Sequence, residues 1–171
     1  MICPHCDYDN LAGADFCKNC WLDLAWFDVP SPQDRVEKSL MEDLVGVLRP
    51  SAPVTLQAKA TVAEAIQEMM EKNVGAILAV DAEQNLVGIF SERDLLNLVA
   101  QEGEGFLSLP ISHFMTRNPN TVRGSDRLGY VLHKMDGGSY RHVPVVKDGK
   151  PLGMISVRDM LSHILAICKD R

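Results

Sequence analysis

The sequence predicts an α/β (α+β) fold in which a β-α-β-β-α unit occurs twice, after a short cysteine-rich segment. Equivalent apolar positions recur 66 residues apart, as the pairs Val62 and Leu128 or Val80 and Val146 show. Within each copy the apolar pattern alternates between strand and helix periods. Copies this regular predict two equivalent units that pack as a pseudo-twofold pair.

The composition is typical of a soluble globular protein. The chain has 171 residues, of which 46% are hydrophobic, and no run approaches the roughly 18 apolar residues that a membrane span needs. The chain begins without a basic stretch leading into an apolar one, which is the pattern of a secretory signal. We therefore expect a cytoplasmic protein.

The charge is acidic, with a formal net value of -6. Among residues 1–28 the only lysine or arginine is Lys18, and the acidic residues there are Asp7, Asp9, Asp15, Asp23 and Asp28. Nucleic-acid-binding proteins need clustered cations to displace counterions from phosphate. This charge argues against a nucleic-acid-binding regulator, which remains the alternative function.

We predict four segments: a cysteine module at 1–24, a linker at 25–33, a helix plus the first unit at 34–110, and the second unit at 111–171. Ser31 is the predicted N-cap of the first helix, with Pro32 and Asp34 in its first turn. Its predicted apolar face consists of Val36, Leu40, Leu44, Val47 and Leu48.

The first copy contains five predicted elements. They are a strand at 54–56, a helix after the capping box of Thr61 and Glu64, strands at 75–80 and 86–90 around a polar turn, and a helix capped by Ser91. The predicted buried face of the first of these helices consists of Val62, Ala65, Ile66, Met69 and Met70.

The second copy repeats this order. Its predicted elements are a strand at 121–122, a helix capped by Ser125, strands at 141–146 and 152–155 joined by an Asp148-Gly149 turn, and a helix capped by Ser156. The inward residues of the first helix are predicted to be Leu128, Val131, Leu132 and Met135.

Four of the five cysteines form two Cys-x-x-Cys pairs, Cys3 with Cys6 and Cys17 with Cys20. Two such turns can complete a tetrahedral thiolate site, and the segment is too short to fold on a core of its own. It resembles a zinc ribbon with a structural metal. Iron in a rubredoxin-like site is the alternative, since four thiolates also suit iron.

Three residues of the module carry further predictions. Asp7 and Trp21 directly follow the two pairs, at positions where many ribbons carry glycine because the turn favours positive φ. Either the second turn is distorted at Trp21 or this side chain packs on the neighbouring domain. For Trp21, Trp26 and Phe27 together we predict inter-domain packing, with a partner-binding patch as the alternative, and we predict that His5 is a bystander. The module is expected to dock a protein partner or to brace the repeated units.

Both copies contain the sequence Gly-x-x-Ser-x-x-Asp, at residues 88–94 and 153–159. A lone Ser-x-x-Asp is an ordinary helix cap. Two instances at equivalent places in a repeat point to a ligand, because free N–H groups at a helix start suit phosphate and a carboxylate can accept a vicinal diol. Adjacent Arg93 and Arg158 can meet a phosphate in a planar fork. Diol, phosphate and apolar strand together describe a nucleotide.

These motifs closely resemble the tandem CBS-domain module, also called the Bateman module. The matching residues are 54–56, 74–80 and 88–94 in copy one, and 115–122, 141–146 and 153–159 in copy two. The resemblance implies a non-catalytic regulator that senses AMP, ADP or ATP, with S-adenosylmethionine as an alternative ligand. It also implies a homodimer formed through the CBS pairs.

The candidate nucleotide-binding residues follow from the motifs and this resemblance. Asp94 and Asp159 would hold ribose hydroxyls, Ser91 and Ser156 would support ribose or phosphate, and residues near Thr55 and Thr121 would line adenine. The complete predicted set is Thr55, Ser91, Arg93, Asp94, Asn120, Thr121, Arg141, His142, Val143, Pro144, Ser156, Arg158 and Asp159.

The copies differ at the start of the central strand, where copy one has Gly75-Ala76 and copy two has Arg141-His142. A cation and an imidazole beside a helix start suit a phosphate, although an exposed strand start is the alternative. We therefore predict unequal sites, with stronger phosphate binding in copy two. His113, His133 and His163 are predicted surface residues without a nucleophile nearby, and Cys168 is expected to be inert.

Overall fold

The computed structural model describes residues 1–11, 14–25, 27, 32, 34–101 and 103–169. Its helices are α1 (Arg35–Glu42), α2 (Val62–Lys72), α3 (Glu92–Gln101), α4 (Leu128–Gly138) and α5 (Val157–Lys169). Its strands are β1 (Thr55–Gln57), β2 (Ala76–Val80), β3 (Leu86–Ser91), β4 (Thr116–Arg117), β5 (His142–Lys147) and β6 (Lys150–Ser156). Short 3₁₀ helices occur at Val45–Leu48, Gly103–Ser108 and Ile111–His113.

The chain divides into two compact units, and each draws residues from both sequence copies. We call residues 1–50, 122–141 and 155–171 the cysteine unit, and residues 51–121 and 142–154 the sheet unit. The candidate residues distribute between these units rather than along the two copies.

A four-stranded sheet in the order β1-β2-β3-β4 organises the sheet unit, and β5 and β6 form a separate two-stranded sheet. β1 runs parallel to β2, with Leu56 opposite Ala79, whereas β2 and β3 are antiparallel. Every residue of β2 is buried, so the continuous apolar run predicted for a fully covered strand is confirmed.

The core of the sheet unit lies between α2, the sheet and the segment after α3. Its buried side chains are Val62, Ala65, Met69, Ile77, Ala79, Phe90, Leu98, Phe106 and Ile111. A smaller cluster joins Met154 of β6 to Ala76 and Leu78 of β2. The predicted α2 face is confirmed for Val62, Ala65 and Met69, but Met70 is 77% exposed, because its position lies past the edge of that face.

Local sequence signals are confirmed at two helix caps and one hairpin turn. The Thr61 hydroxyl accepts from the Glu64 N–H while the Glu64 carboxylate accepts from the Thr61 N–H, which completes the capping box of α2. Asp148 and Gly149 have φ values of 51° and 79°, as a type I′ hairpin turn requires. The Ser156 hydroxyl accepts from the Asp159 N–H at the start of α5.

The first predicted helix is shorter than expected. Ser31 lies outside the described residues, and the side chain of Asp34 caps α1 by accepting from the Glu37 N–H. The helix ends at Glu42 and a separate 3₁₀ turn follows. This break turns Leu44 and Val47 outward, so their predicted place on a buried face is wrong.

Three predictions for the second copy are also wrong. Thr121 and Val122 form no strand of the described chain, although Val122 takes part in a single β-bridge; the paired strand lies earlier, at Thr116–Arg117, next to β3. α4 starts without a side-chain cap, because Ser125 falls in a turn where Asp126 accepts from the Arg123 N–H. Leu132 is 40% exposed although Leu128, Val131 and Met135 are buried. None of the described helices has the length and apolar composition required to cross a bilayer.

Candidate functional site

The four cysteines of the N-terminal module converge on one point. Their sulfur atoms all lie within 4.8 Å of one another, and the Cys3–Cys20 and Cys6–Cys17 sulfur pairs are each 3.5 Å apart. A sulfur–sulfur bond is about 2.05 Å long, so these thiols are not disulfides. Tetrahedral zinc with Zn–S bonds of about 2.3 Å places its ligands at comparable separations. The donor set and its geometry therefore fit one thiolate-bound metal ion.

The surroundings of the Cys17 sulfur favour its thiolate form. Burial raises the pKa of Cys17, but backbone N–H groups of Cys20 and Asn19 and the Asn10 amide outweigh it and lower that pKa to about 6. Burial raises the pKa of Cys3 to about 12. A buried set of this kind needs a cation to hold all its thiolates. The buried Asn10 amide ties the two turns together, since its oxygen also accepts from the Lys18 N–H.

Asp7 and Trp21 take the left-handed conformation that the spacing predicts, with φ values of 56° and 59°. Their N–H groups donate to the carbonyls of Cys3 and Cys17, respectively. The predicted packing of Trp21 is wrong, because its side chain is 78% exposed. The left-handed backbone at the turn points this ring outward. Phe27 does pack, with its ring 6.5 Å from that of His133, and Trp26 lies outside the described residues.

His5 is not the predicted bystander. Its ring stacks on Tyr130 of α4, with centroids 4.6 Å apart and planes inclined by 28°. Its Nδ1 lies 3.5 Å from Oδ1 of Asp126, a carboxylate that is only 1% exposed. The first cysteine turn is therefore anchored on the second sequence copy through His5, which the sequence could not show because no local pattern links residues so far apart.

The duplicated motif has the same geometry in both copies. In copy one, Oδ2 of Asp94 accepts from the Ser91 N–H at 2.8 Å and from the Ser91 hydroxyl at 2.7 Å. In copy two, Oδ2 of Asp159 accepts from the Ser156 N–H and hydroxyl, each at 2.7 Å. The capping role of the motif is thus present in both copies, and it uses only one carboxylate oxygen.

The first residue of each motif, Gly88 in copy one and Gly153 in copy two, is buried. A Cβ at Gly88 would lie 2.4 Å from Sδ and 2.9 Å from Cγ of Met115. A side chain here would therefore displace the methionine that precedes β4. The first N–H of each following helix donates to the carbonyl of the residue just before β2 or β5, from Glu92 to Gly75 and from Val157 to Arg141. The two helix starts are built alike.

The imidazole of His142 lies close to Gly75, the residue that precedes β2. Its Cε1 is 3.1 Å from the place that a Cβ on Gly75 would occupy, and a carboxylate oxygen of Glu92 is 3.2 Å from the same place. The absence of a side chain at Gly75 leaves room for both groups, so His142 belongs beside the copy-one helix start.

The remaining candidate residues divide between the two units. The sheet unit contains Thr55, Ser91, Arg93, Asp94, Asn120, Thr121, His142, Val143 and Pro144, and the cysteine unit contains Arg141, Ser156, Arg158 and Asp159. Val143 and Pro144 are buried within β5, whereas the three arginines are exposed at strand or helix starts. Their roles toward a ligand stay predictions.

The sequence did not predict the polar cluster of Ser39, Asp43 and His163. The Ser39 hydroxyl, buried in α1, lies 2.8 Å from Nε2 of His163 and donates to Oδ2 of Asp43 at 2.5 Å. The expectation of a surface histidine is therefore wrong for His163. The cluster has serine, histidine and aspartate, but Asp43 lies beside the same Nε2 that faces the serine, so the ring cannot relay a proton between them. It joins α1 to α5.

Comparison with protein-family models identifies the repeats. Residues 42–101 and 111–166 match the model described as CBS domain. The CBS domain-containing protein CBSCBSPB1 of Arabidopsis thaliana is 31% identical over 125 residues, which are 73% of this chain and 23% of that protein. An uncharacterised 17.7 kDa protein of Acidianus ambivalens is 31% identical over 108 residues, covering 63% of this chain and 64% of that protein. The chain thus spans less than two thirds of the length of both relatives.

Solved structures share the fold. A CBS-domain containing protein of Agrobacterium tumefaciens superposes with a TM-score of 0.66 at 31% identity, covering 70% of this chain and 98% of that chain. A CBS domain protein of Pyrobaculum aerophilum complexed with AMP has a TM-score of 0.64 at 30% identity, covering 72% and 98%. The CBS domain pair of protein MJ0100, in complex with 5′-methylthioadenosine and S-adenosyl-L-methionine, has a TM-score of 0.66 at 27% identity, covering 74% and 98%.

Proposed function

The chain belongs to the CBS-domain family, and on that premise we propose that it is a non-catalytic regulatory protein that binds an adenosine nucleotide. The observation that carries the proposal is the identical Ser–Asp geometry at the starts of α3 and α5. Two similar CBS structures hold AMP or other adenosine derivatives. A binding protein of this kind acts by favouring the conformation that its ligand prefers.

Each aspartate has a second oxygen available for this role. The capping contacts use Oδ2 of Asp94 and of Asp159, and we assign Oδ1 to the ribose hydroxyls. A charged acceptor makes hydrogen bonds worth roughly 1.5–3 kcal/mol. The N–H groups at the helix start and the nearby arginines would meet a 5′-phosphate. AMP, ADP and ATP share these features, and S-adenosylmethionine shares the adenosine.

For the four-cysteine site we propose zinc, with iron as the alternative. Cys3, Cys6, Cys17 and Cys20 would hold the ion in a closed structural site, where it supplies folding energy rather than chemistry. The stacking of His5 on Tyr130 supports a bracing role toward the second copy. The exposed Trp21 supports docking of a protein partner at the far side of the turn. These two roles use different residues and are compatible.

A ligand panel tests the nucleotide proposal. Purified protein is screened by thermal shift and then by calorimetry against adenosine, AMP, ADP, ATP and S-adenosylmethionine, with GTP as the base-specificity control. We expect saturable binding of at least one adenosine ligand and none of GTP in the same range. Absence of binding across the adenosine ligands would overturn the proposed function.

Metal analysis of the same sample tests the cysteine site. We expect one zinc per chain, and loss of the metal in Cys17→Ser, with Cys168→Ser as the control because that thiol is exposed and distant in sequence from the module. A protein purified without zinc or iron, and indifferent to added zinc in thermal unfolding, would contradict this assignment. Light scattering of the same sample tests the proposed homodimer.

A further inference from the structure

The two hairpins that hold the cysteines carry the same kind of side-chain pair. We call residues 2–9 the first hairpin and residues 16–23 the second hairpin, because an antiparallel bridge closes each of them around its Cys-x-x-Cys turn. The bridge joins Ile2 to Asp9 in the first hairpin and Phe16 to Asp23 in the second. An apolar residue therefore lies opposite an aspartate at matching places in both hairpins.

Both bridged pairs have the backbone geometry that brings side chains closest together. In the second hairpin the backbone N–H bonds flank the pair, from residue 17 to 22 and from residue 24 to 15, and do not join Phe16 to Asp23. The first hairpin repeats this pattern, from residue 3 to 8 and from residue 10 to 1. The side chains of such a pair lie on one face, with their Cβ atoms about 4.5–5.5 Å apart.

These pairs point away from the metal site. Phe16 is 54% exposed and Ile2 is exposed as well, whereas the adjacent Cys3 and Cys17 are fully buried. The second hairpin exposes a further ring, Trp21, at its turn. Exposed aromatic side chains commonly anchor interfaces, because burying their large apolar area against a partner is favourable. The second hairpin therefore presents apolar surface beside a carboxylate.

The charge around this surface is negative. Residues 1–25 contain four aspartates and a single lysine, Lys18, and four thiolates around one divalent ion leave a net negative charge as well. In the first hairpin the N-terminal amine lies 3.3 Å from Oδ1 of Asp9 and supplies a cation there. In the second hairpin Oδ1 of Asp23 accepts a neutral donor, the Ala25 N–H. The second hairpin thus suits a cation from a partner better than the first.

We propose that the exposed surface of the second hairpin, made of Phe16, Trp21 and Asp23, docks a basic segment of a protein partner. This inference rests on the docking role proposed above and gives the partner its chemistry: an apolar side chain close to an arginine or lysine. In an extended segment, residues two apart lie on one face, so the apolar residue can contact the rings while the cation meets the carboxylate. A nucleic acid or a second copy of this acidic chain would be repelled.

Loss of the ring should weaken docking more than loss of the charge. Truncation of an aromatic anchor at the centre of an interface weakens binding by about tenfold or more. An exposed ion pair contributes less, about twofold to fivefold in affinity, and salt screens it. Because Phe16 is exposed, its replacement removes no buried contact from the core of the module.

The test is fluorescence anisotropy of the purified full chain with a labelled peptide that repeats Leu-Ser-Arg-Ser. Two control peptides replace arginine by glutamate or leucine by serine. Phe16→Gln and Asp23→Asn are compared with Met70→Gln and Glu83→Gln, which change an exposed apolar and an exposed acidic residue of the sheet unit. We expect binding weaker by about tenfold or more in Phe16→Gln and by about twofold to fivefold in Asp23→Asn, with the sheet-unit variants unchanged.

Metal content and Tm are measured on each variant. Asp23→Asn keeps a carbonyl oxygen for the Ala25 N–H, so this variant and the salt dependence of binding decide the question if Phe16→Gln folds poorly. Binding that weakens with salt and with Asp23→Asn supports the proposal. Binding that is indifferent to both would overturn it.

The other outcomes separate this inference from the nucleotide proposal. Equal binding of the basic and the acidic peptide, no binding of the basic peptide, or unchanged binding in well-folded Phe16→Gln would each overturn the docking surface. Loss of a dimer in Phe16→Gln, seen by light scattering, would overturn it too, because the surface would then join two copies. Adenosine ligands should bind Phe16→Gln as they bind the unmodified chain, so nucleotide binding stands or falls on the ligand panel alone.

Discussion

Removal of His5 should destabilise the protein far more than removal of an exposed histidine. The ring of His5 stacks on Tyr130, a contact worth about 0.5–1.5 kcal/mol beyond its buried area. Its Nδ1 lies 3.5 Å from Oδ1 of the buried Asp126 carboxylate, but the two atoms make no hydrogen bond. The stacking contact therefore sets the expected loss in His5→Ala, which is about 1 kcal/mol.

Thermal unfolding of the metal-loaded protein measures this loss. For a chain of this length, 1 kcal/mol shifts Tm by about 2–4 °C, so His5→Ala should unfold about 2–4 °C lower. His5→Phe keeps an aromatic ring on Tyr130 and should recover part of the shift. The control is His113→Ala, whose side chain is exposed in a 3₁₀ turn. Metal content is measured on each variant. Equal Tm for His5→Ala and His113→Ala at equal metal content would refute the anchoring role.

Two further predictions follow from the fold. In α4, Gly137→Ala should raise the free energy of unfolding by about 0.5–1 kcal/mol, because no described atom lies within 4 Å of the new Cβ. Gly129→Ala should lower the free energy of unfolding in the same denaturant titration, because its Cβ would lie 3.0 Å from the Leu40 carbonyl oxygen. Equal effects of the two substitutions would contradict the packing of α1 on α4. The Asn85 side-chain and backbone N–H groups lower the pKa of Asp81 below its ordinary 3.8, so the carboxylate stabilises the turn above that pH and loses this contribution as pH falls through the lowered value. Asp81→Asn should therefore have a lower Tm than the unmodified chain at neutral pH, and the difference in Tm should narrow below pH 3.8. A difference in Tm that is independent of pH would show that the turn does not depend on this charge.

Local sequence signals predicted the elements that depend on neighbouring residues. The capping box of Thr61 and Glu64, the Asp148-Gly149 turn and both Ser-x-x-Asp caps are set by contacts within four residues. Such contacts repeat wherever the same residues recur, so a single sequence reveals them. The 66-residue repeat also predicted two equivalent units, and the family models confirm two CBS domains.

The sequence did not predict features that depend on contacts between distant segments. The first helix ends at Glu42 because Asp43 takes an extended conformation, and its N–H caps the Ser39 carbonyl. His142 lies against Gly75 and Glu92, far from it in the chain, which no periodicity shows. His5 likewise meets Asp126 and Tyr130 only in the folded state. These are the places where tertiary contacts override local pattern.

The most direct test of the nucleotide proposal is the affinity of AMP for Asp94→Ala and Asp159→Ala, measured by calorimetry. Each substitution also removes a helix cap, which costs about 1 kcal/mol of stability. Glu64→Ala is the matched control, because it removes a carboxylate that accepts from the Thr61 N–H and hydroxyl at the start of α2, away from the candidate residues. We expect at least one aspartate variant to bind AMP roughly tenfold or more weakly while Glu64→Ala binds as the unmodified chain does. Unchanged affinity in both aspartate variants would contradict the ribose assignment.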